Sequence, residues 1–250
     1  MNITIWCEHL QDQTDERVRA VYPDYIHGAL AQALEPLTAQ GATIRIATLD
    51  MPDCGLPPEV LDTTDVLLWW GHIGHDRVPD ELARAVADRV LLGMGFLALH
   101  SAHYCKPFKL LMGTTCSLRH GKGASERLWC LDPGHPIAQG VPTCIEIPNE
   151  EMYGEFYDIP APDELVYGAW FAGGELFRAG CCWRRGSGKV FYFQPGHETD
   201  ASYYLPHIQQ ILRNAVQWAA PTRWRNTLNC IGHRQTAEQM KAEGIAVTEI

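Results

Sequence analysis

Apolar and polar positions alternate between two periods along the first half of the chain. Ile3-Thr4-Ile5-Trp6-Cys7 is a short β-branched and aromatic run that stops at polar Glu8 and His9, the pattern of a buried first strand. Between Asp24 and Gln40, Ile26, Ala29, Leu30, Ala33, Leu34 and Leu37 recur at helical spacing; Gly41 supplies a stop, and Pro36 is placed to bend the helix. Residues 43–47 read as a second strand and residues 65–70 as a third. A helix carrying Leu82, Val86 and Val90 then leads to a strand over residues 95–99. Strands apolar on both faces and joined by helices predict a parallel sheet covered on both sides. The ligand site of such a sheet lies at the carboxyl ends of its strands.

The second half has more strands and fewer helices. Residues 164–171, 175–183 and 189–193 are separated by Gly173-Gly174 and Arg185-Gly186-Ser187-Gly188, so they read as antiparallel hairpins that extend the sheet. A final helix over residues 203–219 sets Leu205, Ile208, Leu212, Ala215 and Trp218 on one stripe. The pattern is lost after Pro221, and residues 236–243 suit a short polar helix. The expected organisation is one α/β domain over residues 1–221, with a mainly parallel sheet, followed by a tail over 222–250.

Composition narrows the class. The 250 residues suit one core, and 46% hydrophobic against 20% charged residues exclude a disordered chain. Twenty basic against thirty acidic residues give a net charge of −10, the wrong sign for a nucleic-acid partner. No apolar run reaches bilayer length, and the N-terminus has neither a basic n-region nor an h-region, so neither membrane insertion nor export is expected and a cytoplasmic location is. The nine cysteines are odd in number and lack zinc-ribbon spacing; they read as reduced, buried thiols, Cys105 and Cys230 included. Aromatic segments around Trp129, Trp170 and Phe171 point to a homo-oligomer.

The residues just after the strands carry the candidate chemistry. They are Glu8-His9, Gly71-His72-Ile73-Gly74-His75-Asp76, His100-Ser101-Ala102-His103 and Gln194-Pro195-Gly196-His197-Glu198-Thr199. Imidazoles and carboxylates converging on one rim suit a divalent metal and acid–base work near neutral pH. A single histidine after a strand is ordinarily a loop residue bonded to backbone, and His9 is read that way. His27, His120, His135, His207 and His233 lie on helices or in loops away from the rim and read as structural or solvated. Residues 95–103 have the outline of a nucleophile elbow, but His100 stands at its tip; Ser101 and Cys105 are weak nucleophile candidates. In the acidic stretch 149–158, the interleaved Met152, Tyr153, Phe156 and Tyr157 argue that one or two carboxylates point inward. Glu151 and Glu155 would share a side if the segment is helical.

Several of these pieces belong together. Trp69-Trp70-Gly71-His72 with His75, Leu99-His100-Ser101-Ala102-His103, Leu111-Met112-Gly113-Thr114-Thr115-Cys116, Glu150-Glu151-Met152-Tyr153-Gly154-Glu155, and residues 188–198 through His197-Glu198 resemble, in this order, the ThuA-like (trehalose utilisation) family over about residues 3–221. The resemblance implies a class I glutamine-amidotransferase-like fold, a flavodoxin-like three-layer sandwich with an elbow. In amidotransferases the elbow carries a catalytic cysteine partnered by a late histidine and acid. His197 and Glu198 match that late pair, whereas His100 replaces the nucleophile. The family is associated with bacterial use of trehalose and related disaccharides beside dehydrogenases that make 3-keto sugars, which implies a small-molecule keto-sugar substrate.

The residues suit such a substrate. A ring carbonyl acidifies the neighbouring C–H, so isomerisation or elimination needs a base and a holder for enolate charge. The expected metal ligands are His72, His100 and His197 around a divalent, zinc-like ion, with Glu151 as a fourth ligand or as the base. Glu151, His100, His103 and His197 are the catalytic candidates. Glu8, Glu198 and His103 would orient imidazoles. Trp70 and Tyr153, with Trp69 and Trp170, would offer faces for sugar stacking. A cysteine-free, metal-dependent hydrolase of glycosides or amides and a non-catalytic sugar-binding protein are the alternatives.

Overall fold

The computed structural model describes residues 1–229 and 235–246; the expectations for Cys230 and His233 fall outside them. The strands are β1 (Asn2–Cys7), β2 (Thr43–Thr48), β3 (Val66–Trp70), β4 (Gly95–Leu99), β5 (Arg119–Cys130), β6 (Cys144–Gly154), β7 (Glu164–Phe171), β8 (Leu176–Arg185) and β9 (Gly188–Phe193). They form one sheet in the order β2-β1-β3-β4-β9-β8-β7-β5-β6. The pairings from β2 through β1, β3 and β4 to β9 are parallel, and those from β9 to β6 are antiparallel. The hairpin half thus contributes as many pairings as the parallel half. Every residue of β3 and β4 is buried, as expected for parallel strands covered on both faces.

The helices are α1 (Gln11–Thr14), α2 (Glu16–Val21), α3 (Tyr25–Leu34), α4 (Pro58–Thr63), α5 (Asp80–Leu92), α6 (Lys106–Met112), α7 (Pro206–Ala219) and α8 (Ala237–Ala242). α3 packs on β1 and on α7, which also lies against β4, while α5 packs on α6 and α4. α7 buries Ile208, Ile211, Leu212, Ala215 and Val216 along the apolar stripe legible in its sequence. No described helix is long and apolar enough to cross a membrane. The eight described cysteines are free thiols.

Two expectations are corrected. The helix expected over 24–40 ends at Leu34 and continues as a 3-10 segment, Glu35–Gln40, closed by Gly41 at φ +84°. Pro36 lacks the N–H that would bond back to Gln32, so the helix tightens there instead of bending. The stretch 149–158 is not helical: it is the end of β6 and the loop after it, with Glu151 opposite Gly123 of β5. Glu155 therefore does not share a helical face with Glu151; it pairs with Arg178 at 2.8 Å. β5 itself is polar at most positions, Arg-His-Gly-Lys-Gly-Ala-Ser-Glu at its start, which hid it from a periodicity reading.

In this topology the carboxyl ends of β1, β3, β4 and β9 open on one rim. β6 runs past that rim and adds its own acidic residues to it.

Candidate active site

His100 sits at the end of β4 with φ +51°, a left-handed conformation uncommon outside glycine. The elbow outline in the sequence is thus present, and its tip aims an imidazole. His100 is fully buried, and its Nδ1 lies 2.7 Å from the Gln194 carbonyl. A carbonyl only accepts, so Nδ1 carries the hydrogen, and Nε2 is left facing Glu151 Oε2 at 3.1 Å and Tyr153 Oη at 3.2 Å. Burial alone would push the imidazolium down. The Glu151 hydrogen bond and the charges of Glu150 and Glu151 outweigh it, raising the pKa to about 9.

Two adjacent acids of β6 divide the labour because successive strand side chains point to opposite faces. Glu150 is fully buried and accepts hydrogen bonds from the Gly196 N–H at 2.8 Å, the His197 N–H at 3.1 Å and Ser202 Oγ at 2.6 Å. It fixes the loop after β9. Glu151 points into the cleft, with Oε2 toward His100 and, at 3.9 Å, His197 Nε2, and Oε1 3.4 Å from His120 Nδ1. Burial raises its pKa, but the His100 hydrogen bond and the neighbouring imidazoles hold it low.

His197 Nδ1 lies 2.9 Å from Thr199 Oγ1, and its Nε2 is 3.5 Å from Glu198 Oε2. His72 Nδ1 lies 2.7 Å from Gln11 Oε1 and 3.1 Å from Glu198 Oε1, while Gln11 Nε2 donates to the same Glu198 oxygen at 2.8 Å. Glu198 is nearly buried, which would raise its pKa; the hydrogen bond and charge of His72, with the charge of His197, carry it down to about 2. His103 donates from Nδ1 to the Cys116 carbonyl at 2.7 Å, and burial lowers its pKa to about 3, so it stands as a neutral imidazole. His75 is also lowered by burial, to about 4.

Of these groups, His72, His75, His103 and Glu151 line a cleft of about 290 Å³, together with His120 and Tyr153. Tyr104 stands at its mouth, 45% exposed, with Lys109 Nζ 3.9 Å above the ring. One ligating atom each from His100, Glu151 and His197 falls within 4.8 Å of the other two, a donor set of two imidazoles and a carboxylate that fits a zinc-class ion. His72, expected as a ligand, is outside this group; its ring centroid is 6.0 Å from that of His197, and its Nδ1 is taken up by Glu198 and Gln11.

Other expectations are revised by the geometry. Glu8 orients no imidazole: its carboxylate accepts the backbone N–H groups of His72, Ile73 and Gly74, pinning the loop after β3. Trp70 is 2% exposed and donates to the Gly196 carbonyl, so it braces the rim from below and offers no face to a sugar. Trp69 is stacked on Trp6 in the core, and Trp170 lies on the far hairpin beside Arg127. Tyr153 reaches the cleft, but its ring is stacked on His100 at 4.9 Å. Ser101 Oγ donates to the Gly71 carbonyl, and burial raises the Cys105 thiol far out of the reactive range. His120, read as remote, belongs to the cleft because β5 delivers it opposite Tyr153. His135 is structural as expected, bonded to Glu164 and to the Ile137 N–H, and His207 is exposed on α7. Gln11 carries no sequence signal for the site, and Glu150 and Gln194 stand out only as members of the segments 150–155 and 194–199.

A family model described as trehalose utilisation matches residues 3–219. The chain belongs to the ThuA family. Among solved structures, a ThuA-like protein of Parabacteroides merdae superposes with a TM-score of 0.66 at 16% identity, covering 91% of this chain and 92% of that one. A ThuA-like protein of Bacteroides uniformis gives 0.59 at 14% identity, covering 88% and 91%. A Salmonella typhimurium protein described as cytoplasmic gives 0.59 at 12% identity, covering 89% and 100%. At these identities the likeness concerns the ThuA fold. No curated protein matches the chain.

Proposed function

We propose that this ThuA-family chain is a sugar-processing enzyme that enolises a keto-disaccharide, leading to isomerisation or elimination. The observation that carries the reading is the convergence of His100, Glu151 and His197 beside a cleft that Glu151 and His72 line, with His72 paired to Glu198. His100 through Nε2 in its neutral form, His197 and Glu151 would hold a divalent ion. Such an ion, when bound, polarises a carbonyl oxygen and favours the enolate. His72 is the base: its Nδ1–H donates to Glu198 and Gln11, which leaves the Nε2 lone pair on the side of the ring away from them. Glu198 steadies the imidazolium that forms when His72 takes the proton. His103, held neutral, accepts a hydrogen bond from a sugar hydroxyl, and Tyr104 supplies an aromatic face at the mouth.

The volume fits one pyranose ring at the reacting position, near the lower end of ligand pockets at about 300–1,000 Å³, with the second ring extending past Tyr104. A serine or thiol hydrolase is disfavoured, since the Ser101 hydroxyl hydrogen is given to the Gly71 carbonyl and Cys105 is deeply buried. The exposed Trp129, Leu131, Trp170 and Leu176 on the hairpin half favour pairing with a second copy, whereas Phe171 is fully buried and takes no part. Light scattering at micromolar concentration tests that pairing, and a monomer removes it. A cytoplasmic site of action accords with the description of the Salmonella structure.

Elemental analysis of tagless protein prepared without chelator, together with a screen of keto-disaccharides, tests the reading. A divalent ion that is lost in His197→Ala, with turnover of one keto sugar, supports it. An unchanged ion content in that variant overturns the ligand assignment.

A further inference from the structure

A second imidazole–carboxylate cluster lies on the other side of Gln11. His9 follows β1 at φ +52°, Asp12 is the second residue of α1, and His27 lies in the first turn of α3. Asp12 is 2% exposed, and its Oδ1 approaches His9 Nδ1 to 3.1 Å. That approach lacks the alignment of a hydrogen bond. His9 Nδ1, both carboxylate oxygens of Asp12 and His27 Nδ1 are all buried without a hydrogen-bond partner among the described residues. The rings of His9 and His27 are 5.1 Å apart, and Tyr25 closes one side with its ring 4.7 Å from His9.

A buried carboxylate with neither oxygen hydrogen-bonded is a costly state that native folds rarely leave uncompensated. Here one ligating atom from each of the three side chains lies within 4.8 Å of the others. His135, Glu164 and Cys182 are grouped equally closely but differ in their bonding. His135 accepts from the Ile137 N–H through Nδ1 and bonds Glu164 through Nε2, so its ring has no lone pair to spare. In the His9 cluster the orphaned atoms are those a cation would use.

We propose that His9, Asp12 and His27 form a second divalent-metal site of the zinc class, separate from the cleft. Two imidazole nitrogens and one carboxylate make a three-ligand set with room for water or a further ligand. An ion there ties the end of β1 to α1 and α3. It also restrains Gln11, the residue before Asp12, which bonds both His72 and Glu198 in the cleft. Metal at this position is therefore structural, and it steadies one wall of the active site.

The test uses the full chain, without a tag, in a His197→Ala background that lacks a cleft ligand. Chelator-stripped protein is titrated with Zn²⁺ or Co²⁺ alone, read by calorimetry and by the visible absorption of cobalt. One equivalent should bind, and adding Asp12→Asn or His27→Gln should weaken it by more than about 100-fold, beyond what a merely outlying group gives. His27 is only half-buried, so His27→Gln decides the matter if Asp12→Asn fails to fold. The proposal is overturned if the background binds no ion, or if a folded His27→Gln variant binds with unchanged affinity. Because the background already lacks His197, failure here leaves the reading of the cleft untouched.

Discussion

Glu198 lies 3.1 Å from His72 Nδ1 through one oxygen and 3.5 Å from His197 Nε2 through the other, so a single nearly buried carboxylate faces two imidazoles of the cleft. It links the group assigned to proton transfer with a group assigned to the ion. Removing its charge should therefore disturb both without destroying either.

Glu198→Gln is expected to lower turnover by about 10 to 100-fold, the range for partners that orient ligands and bases without touching the reacting atoms. His197→Ala should lower metal affinity and turnover by orders of magnitude while the core stays folded. His207→Ala, exposed on α7, should change neither. If His197→Ala keeps full metal occupancy and loses only turnover, the residue transfers protons instead of binding the ion.

Glu150→Ala should act on stability first. It leaves the Gly196 and His197 N–H groups and the Ser202 hydroxyl without their buried acceptor. The loss is about 3 kcal/mol, or roughly 6 to 12 °C in Tm for a chain of this size. Calorimetry checks this, and an unchanged Tm would show that the loop after β9 is held by other contacts.

Stability should also fall in mild acid. His103 and His75 have pKa values of about 3 and 4 in the folded chain, below the ordinary histidine value of about 6.5 expected on unfolding. Below pH 6.5 the unfolded chain takes up protons that the folded chain refuses, so folding weakens as pH falls from 6.5 toward these values. Each group contributes up to about 1.4 kcal/mol per pH unit in that window. His103→Asn keeps a donor for the Cys116 carbonyl, and urea midpoints measured between pH 4 and 6.5 should show a shallower slope. An identical slope would mean that His103 protonates in the folded state.

Cys105→Ser should leave turnover within a few-fold, since the thiol just before α6 is buried and burial raises it far out of the reactive range. A loss of orders of magnitude in a folded variant would reinstate thiol chemistry.

The parallel half was legible in the sequence because β3 and β4 are apolar throughout and β1 is interrupted only by Asn2 and Thr4, and the carboxyl ends of β3, β4 and β9 could be read directly for His72, His100 and His197. The hairpin half was only partly legible. β5 opens with a largely polar run and β6 sets Asn149, Glu150 and Glu151 in succession, so their strand period is weak, and the cleft position of His120 follows only from pairing with Tyr153. The sequence argues that one or two carboxylates of 149–158 point inward, but it could not divide the roles of Glu150 and Glu151, since which neighbour faces inward depends on strand register. Trp70 illustrates the opposite error. Its aromatic face suits a sugar by composition, yet its place on a fully buried central strand commits it to the core. His9 and His27 come together through the path of α1 and α3, which no spacing in the sequence announced.

The most direct measurement of the central claim is proton exchange at the substrate carbon next to the carbonyl. A 3-keto-disaccharide incubated with the metal-replete enzyme in deuterated water should take up deuterium there, as seen by proton NMR. His72→Ala should abolish the uptake, because His72 is the assigned base, and His197→Ala should slow it by orders of magnitude. Turnover of the sugar with no deuterium at that carbon in the recovered substrate or the product, or full exchange in His72→Ala, would contradict the account.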